Sequence, residues 1–297
     1  MTWIALATYR TNAKGEAPAV VVDDKLYDAR EVLPGGVGGA IADWPRAQGA
    51  VRQLADQVRA GKLPVLREGM AALTAPFRPS RIFCAAANYI EHAKEMGTVL
   101  ANKAQSKPYM FLKLQDTVVG PGDNVVKPPE TEKLDWEVEL AAVIGRQARR
   151  IGVDQALDCV AGYSVLNDIS ARDLNKRSDY PFQFDWFQGK CWDSFAPFGP
   201  WIVPAWQVAD PQAMNLKLTV NGKVMQQDST ANMIWKVREQ ISYLSQILTL
   251  RPGDVIATGT PTGVGAAHGI FLKDGDRVEA TVEGIGTLAN RIVNEKR

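Results

Sequence analysis

Three carboxylates and one histidine carry the chemistry this sequence can support. Glu137 and Glu139 lie in the run Leu134-Asp135-Trp136-Glu137-Val138-Glu139-Leu140-Ala141-Ala142-Val143-Ile144, and Asp168 closes the apolar run Ala161 to Asn167. Side chains on a strand alternate faces, so Glu137 and Glu139 point the same way. Two like charges on one face of an apolar strand repel, and burying them costs on the order of several kcal/mol per ion unless a cation compensates. Oxygen ligands select a hard ion (Mg²⁺, Mn²⁺ or Ca²⁺) over zinc or copper, and three carboxylates leave about three octahedral positions for substrate oxygens and water. The same Glu-x-Glu spacing also suits a solvated edge strand paired with lysines.

His92 and Glu95 follow the strand-like run Phe83 to Ala87. Three residues apart on a helical stretch, they share a face and can hydrogen-bond. A carboxylate beside an imidazole fixes its tautomer and raises its basicity, as a general base acting on water requires. An exposed His and Glu with no task would show the same spacing, but the chain holds only two histidines, His92 and His268, so candidates for a neutral-pH base are few. Lys113 and Lys190 sit in the aromatic segments Tyr109 to Lys113 and Trp186 to Lys190. Either neutralises a substrate carboxylate or polarises a carbonyl, or simply snorkels. The loop Ala257 to Gly265, centred on Thr260, either offers backbone N–H groups to an anion or is a plain tight connection. It lacks the Gly-x-x-x-x-Gly-Lys pattern of a phosphate-binding loop.

The elements that must position these residues are mostly short strands. Arg81 to Ala85, Trp136 to Ile144, Gly162 to Asn167, Trp201 to Pro204, Leu216 to Val220, Asp254 to Thr258 and Arg277 to Val282 read as strands between Gly/Pro punctuation. Asn221-Gly222 predicts a tight hairpin joining Leu216–Val220 to Lys223–Gln226. Apolar spacing predicts a helix over Thr230 to Leu248 and another over Trp44 to Ala60 ending at Gly61, while Ala19 to Leu26 reads as one strand and Pro34 to Gly39 as a loop. Two prolines in Ala75 to Ser80 suit a linker, dividing a small amino-terminal α+β domain, residues 1 to 75, from a catalytic domain, residues 80 to 297. Many strands and few helices argue for a β-rich α+β fold, a mixed sandwich or roll, over a βαβ sheet. Aromatic residues crowd Tyr180 to Trp201, suiting core or subunit interface.

Bulk numbers narrow the partner. The chain has 297 residues with 34 basic and 33 acidic side chains, a net charge of +1. A nucleic-acid or anionic-membrane binder carries a basic surplus or block, which is absent here, so a small-molecule partner is expected. No apolar run reaches the roughly 18 residues a membrane span needs, and the amino terminus has no charged lead-in or cleavage site. Cys84, Cys159 and Cys191 are odd in number and widely spaced. They fit neither a disulfide framework nor a zinc site, so a reducing cytoplasm is expected.

Taken in order, these segments resemble the fumarylacetoacetate hydrolase family over residues 80 to 295. The carriers are Asn88-Tyr89 through His92 and Glu95, Phe111-Leu112-Lys113 with Val119 to Asp123, and Trp136 to Leu140. Asn167 to Asp173, Gly189-Lys190, Phe195 to Pro200 and Thr258 to Gly265 complete the set. The resemblance implies a β-rich roll with a smaller amino-terminal domain, a homodimer, and Mg²⁺ or Mn²⁺ held by Glu137, Glu139 and Asp168. It implies hydrolysis of a C–C bond in a small 2,4-diketo acid, with His92, Glu95 and Lys190 catalytic and Asn88, Tyr89, Lys113 and Thr260 on the substrate. Decarboxylation of oxaloacetate, isomerisation of a 2-hydroxy-dienoate and a non-catalytic binding module are the alternatives. Ala85-Ala86-Ala87 departs from the family block, where a glycine and a larger residue precede Asn-Tyr.

Overall fold

The computed structural model describes residues 3–13, 15–97, 102–179 and 181–296. Tyr180, one of the crowded aromatics, lies outside them. The chain begins with strands β1 (Ala5–Arg10), β2 (Glu16–Val22) and β3 (Lys25–Asp28), then helices α1 (Gly36–Ala42) and α2 (Trp44–Arg59). Next come β4 (Leu73–Thr74), β5 (Arg81–Ala86), α3 (Ile90–Glu95), β6 (Tyr109–Leu114), β7 (Val118–Val119) and β8 (Asn124–Lys127). The site-bearing stretch follows as β9 (Leu134–Asp135), β10 (Val138–Ile144), β11 (Val160–Asn167), β12 (Ser170–Ala171) and α4 (Trp186–Lys190). The remainder is β13 (Ala196–Pro204), β14 (Asn215–Val220), β15 (Lys223–Ser229), α5 (Val237–Ile247), β16 (Val255–Ala257), α6 (Gly265–His268), β17 (Arg277–Val282) and β18 (Gly286–Asn294).

Two mixed sheets carry the fold, as the β-rich α+β expectation required. The larger runs β3-β2-β1-β13-β11-β10-β16-β5-β6, and the smaller runs β15-β14-β17-β18-β8. Every residue of β10 is buried. On one face Leu140, Ala142 and Ile144 share a core with Leu216, Leu218, Val278, Ala280 and Val282 of the smaller sheet. On the other, Ala141 and Val143 share a core with Ile41, Trp44, Val51 and Leu54 of α1 and α2. A strand covered on both faces reads as a continuous apolar run, which is what makes a glutamate inside it conspicuous. The amino-terminal strands continue the same sheet: β1 pairs with β2 on one side and meets β13 at Leu6↔Ile202 on the other.

Four local expectations are corrected. Ala19 to Leu26 is not one strand but the β2–β3 hairpin, turned at Asp23 and Asp24 with φ of 48° and 55°. Aspartate tolerates the left-handed region that a primed turn demands at both central residues. Pro34 to Gly39 is not all loop, because α1 starts at Gly36; burial of Val37, Ala40 and Ile41 outweighs the glycines' poor helix propensity, about 1 kcal/mol each. The helix expected from Thr230 starts at Val237, since the backbone N–H groups of Ile234 and Trp235 donate instead to Asn88. Glu137 lies just before β10, not within it.

Candidate active site and metal centre

Sheet order assembles the site. Strand β10 lies between β11 and β16, with Val138↔Asn167 and Glu139↔Leu166 on one side and Ala141↔Ala257 on the other. Asp168, one residue past β11, is thereby placed beside the start of β10, where its N–H donates to Glu137 O at 2.8 Å. Gly259, just past β16, donates its N–H to Glu139 Oε2 at 2.7 Å. Gly259 sits at φ 98°, and a Cβ there would stand 2.6 Å from Asn88 Cβ, so the loop needs glycine at this point.

Glu137, Glu139 and Asp168 converge: one oxygen from each lies within 4.8 Å of the others, and all three residues are buried. Their cationic neighbours decide the electrostatics. Lys190 Nζ donates to Glu137 Oε2 at 2.9 Å and to Asp168 Oδ2 at 2.8 Å, with Asp168 O at 3.4 Å. Lys113 Nζ donates to Ile169 O at 2.9 Å and Phe195 O at 2.5 Å. It also lies 2.5 Å from Asp168 Oδ1, a fully buried ion pair. Arg172 Nη2 donates to Glu137 Oε1 at 2.5 Å, and its Nε donates to Asp135 Oδ2 at 2.8 Å.

Four carboxylates, those of Asp135, Glu137, Glu139 and Asp168, thus share three cations, Lys113, Lys190 and Arg172. The uncompensated charge falls on Glu139, which has no cationic partner among the described residues. Burial, reinforced by Asp168 and Glu137, pushes the Glu139 carboxyl well above the usual carboxylate range. Burial acts the same way on Glu137, but there Lys190 and Arg172 outweigh it and hold the carboxyl at about 2. Three converging carboxylates, an excess negative charge and an all-oxygen donor set fit a divalent hard cation. This triad can hold Mg²⁺ or Mn²⁺.

The imidazole of His92 is buried on α3, with Nδ1 3.3 Å from Glu95 Oε2. The other Glu95 oxygen accepts the Gly263 N–H at 2.9 Å and lies 3.6 Å from His268 Nε2. Burial favours protonation of Glu95, but the hydrogen bonds from His92 and Gly263 outweigh it and hold the carboxyl below its ordinary range. An ionised Glu95 accepts Nδ1–H, which leaves Nε2 as the basic nitrogen. The loop after β16 ties base and triad together, since its Gly259 N–H donates to Glu139 and its Gly263 N–H donates to Glu95.

The remaining sequence-selected residues gather around this centre with unequal freedom. Asn88 is saturated by backbone: Nδ2 donates to Trp235 O at 3.0 Å and Thr258 O at 2.7 Å, and Oδ1 accepts Trp235 N–H at 2.8 Å. Thr260 Oγ1 donates to Val138 O and accepts from Gln226 Nε2, both at 2.9 Å. Tyr89 is buried, with a hydroxyl that has no partner among the described residues. Sequence reasoning left out Asp135, Arg172 and Gln226. Gln226 Oε1 accepts the Val138 N–H at 3.0 Å, stitching β15 to the start of β10. Arg172 stood in the Asn167 to Asp173 segment, four residues from Asp168, where an arginine after a ligand carboxylate was the available signal. All three cysteines are free, and no described helix is long and apolar enough to cross a membrane.

Comparison with known proteins gives the lineage. Residues 81–293 match the family model for the fumarylacetoacetate (FAA) hydrolase C-terminal domain. The oxaloacetate tautomerase FAHD2A, mitochondrial, of Homo sapiens is 39% identical over 247 residues, 82% of this chain and 76% of that protein. A fumarylacetoacetate hydrolase from Exiguobacterium antarcticum has a TM-score of 0.81 at 32% identity, covering 98% of this chain and 100% of its own. Maleylpyruvate hydrolase from Sphingobium, solved with manganese(II) and pyruvate, has a TM-score of 0.77 at 28% identity, with 98% and 100% covered. The seven segments, the two mixed sheets and the carboxylate triad therefore have one common explanation: the chain belongs to the fumarylacetoacetate hydrolase family.

Proposed function

We propose that the protein is a metal-dependent enzyme that hydrolyses a C–C bond in a small 2,4-diketo acid of the acylpyruvate type. The observation that supports this reading best is the buried His92–Glu95 pair joined to the carboxylate triad by one loop, whose Gly263 and Gly259 amides donate to Glu95 and Glu139. A divalent cation, when bound by Glu137, Glu139 and Asp168, supplies Lewis-acid polarisation of substrate oxygens. Glu95 holds His92 in the Nδ1–H tautomer, so Nε2 takes a proton from water as the oxygen attacks the distal carbonyl. The bond between that carbonyl carbon and the pyruvate carbon then breaks, and Nε2–H returns the proton to the departing carbon.

Lys113 and Lys190 act in this reading as buried counterions that hold Asp168 and Glu137, because their ammonium groups are already engaged there. Asn88 ties the start of α3 to the Thr258 loop, and Thr260 ties that loop to β10. Tyr89 keeps its hydroxyl for the substrate. A second reading, keto–enol tautomerisation of oxaloacetate, is favoured by the 39% identity to FAHD2A. It uses the same proton shuttle at the carbon next to the keto group and needs no attacking water.

The test is to incubate metal-stripped protein with acylpyruvates, fumarylpyruvate and oxaloacetate, with and without Mg²⁺, and to identify products. Metal-dependent release of pyruvate plus a free acid supports hydrolysis. Enol–keto exchange of oxaloacetate without cleavage moves the reading to tautomerase, and CO₂ release moves it to decarboxylase. His92→Ala should lower hydrolysis by about 10²- to 10⁴-fold while Mg²⁺ affinity persists; full activity would show that His92 is not the base.

A further inference from the structure

Asp135 is completely buried, and among the described residues its carboxylate hydrogen-bonds neither to the metal-site carboxylates nor to the His92–Glu95 pair. Four N–H donors converge on its carboxylate. Trp136 N and Gly265 N donate to Oδ1 at 2.8 and 2.6 Å, while Ala266 N and Arg172 Nε donate to Oδ2 at 3.0 and 2.8 Å. Each side of this cluster leads to one half of the site. Through Arg172, whose other arm donates to Glu137 Oε1, it reaches the metal ligands. Through Gly265 and Ala266 it anchors the loop whose Gly263 N–H donates to Glu95. That loop is held a second time by Trp136, which donates its indole N–H to Gly263 O at 3.1 Å. Packing at the anchor leaves no slack, since a Cβ on Gly265 would stand 2.7 Å from Asp135 Oδ1 and 2.0 Å from Ile270 O.

We infer that Asp135, acting through Arg172 on one side and the 263–266 loop on the other, sets the geometry of the metal ligands and of the catalytic base together. It is a positioning residue for both halves of the site, and the inference rests on the metal-and-base reading above. The physical reason is donor satisfaction. A buried carboxylate accepts four N–H groups only as an anion with both oxygens free to accept. An asparagine there presents its own NH₂ to two of those donors, so that pair must move away. Either pair joins one loop amide to one donor tied to Glu137, Gly265 N with the adjacent Trp136 N on Oδ1 or Ala266 N with Arg172 Nε on Oδ2, so either displacement disturbs both halves.

The chain's two histidines make the test direct. Full-length protein labelled with ¹⁵N-histidine gives two imidazole spin systems, and a His268→Gln sample assigns them. In wild type, His92 is expected as a single Nδ1–H tautomer. In Asp135→Asn, His92 should become a mixture of tautomers, and Mg²⁺ affinity by calorimetry should fall about 10- to 100-fold, the range for lost outer partners of metal ligands. Arg172→Lys keeps the charge but cannot fork between Asp135 and Glu137, and should lower Mg²⁺ affinity while His92, anchored from the loop side, keeps its wild-type tautomer. A folded Asp135→Asn protein with the wild-type His92 spectrum, or with unaltered Mg²⁺ affinity, overturns the inference. So does loss of fold in both variants, which would make the cluster purely structural. Wild-type protein that fails to bind Mg²⁺ overturns the metal reading itself, which separates the two failures.

Discussion

Replacing Glu139 by glutamine should stabilise the metal-free protein at neutral pH while abolishing its response to Mg²⁺. Glutamine keeps the shape, and its Oε1 can still accept the Gly259 N–H. What it removes is the charge of the one carboxylate among these four that has no ion-pair partner among the described residues. The folded pKa of Glu139 is raised by burial, Asp168 and Glu137, so the native state holds this proton more tightly than the unfolded chain does. Metal-free stability from this group is therefore complete below the ordinary value of 4.5 and is lost as pH rises through the folded value, at up to about 1.4 kcal/mol per pH unit. Glu137 has the opposite sign. Held at about 2 against an ordinary 4.5, it contributes stability above 4.5 that is lost as pH falls toward 2, roughly 3 kcal/mol across the window. Together the two place the metal-free optimum for this pair near the ordinary carboxylate pKa. Urea unfolding followed by tryptophan fluorescence at pH 5 and pH 7, with and without Mg²⁺, measures both effects. Wild type should lose stability between pH 5 and 7 without metal, and at 100 times Kd Mg²⁺ should add about 2.7 kcal/mol. Glu139→Gln should show neither the loss nor the gain. If the variant is less stable than wild type at pH 7 without metal, or gains the full Mg²⁺ increment, the charge accounting at this site is wrong.

Lys113→Met removes the cation facing Asp168 Oδ1 and strands the carbonyls of Ile169 and Phe195 in a fully buried place. It should cost about 3 to 5 kcal/mol of unfolding free energy, and a loss below about 1 kcal/mol would mean that Lys113 merely snorkels. Strand β6 ends the larger sheet and exposes Tyr109, Leu112 and Leu114, an apolar edge of the kind that invites pairing. If a homodimer forms over this edge, Leu112→Lys with Leu114→Lys should convert it to monomer in sedimentation equilibrium, whereas an unchanged dimer would place the interface elsewhere.

What the sequence made legible and what it concealed divide along the range of the forces involved. The strands Leu216–Val220 and Lys223–Gln226 were readable because Asn221-Gly222 encodes its own turn, with φ of 51° and 80° at the two residues. Glu139 was conspicuous because it interrupts β10, an apolar strand buried on both faces, with Glu137 just before it, while the resemblance in seven segments joined Asp168 to the pair. Asp23-Asp24 misled for the converse reason: the turn lies inside an apolar run, and aspartates in the left-handed region leave no periodic signature. The lysines show the deeper limit. Sequence offered Lys113 and Lys190 charge neutralisation, carbonyl polarisation or snorkelling, with Lys190 catalytic by resemblance, and the structure adds a counterion role by burying both against Asp168 and Glu137. That role needs the register of β10 on β11 and the position of α4, neither of which is written near either lysine.

Asp135 carries the same argument to its end. Its donors come from residues 1, 37, 130 and 131 positions away, and only the first is visible locally. A carboxylate in a short apolar strand therefore looks alike in sequence whether it will ligate a metal or anchor a loop. The difference is the kind of neighbour that tertiary structure delivers. Glu139 receives one amide and two more carboxylates, which leaves room for a cation. Asp135 receives four N–H groups, which leaves none. Two acids four positions apart on one chain segment thus acquire opposite duties, one to bind and one to hold still what binds.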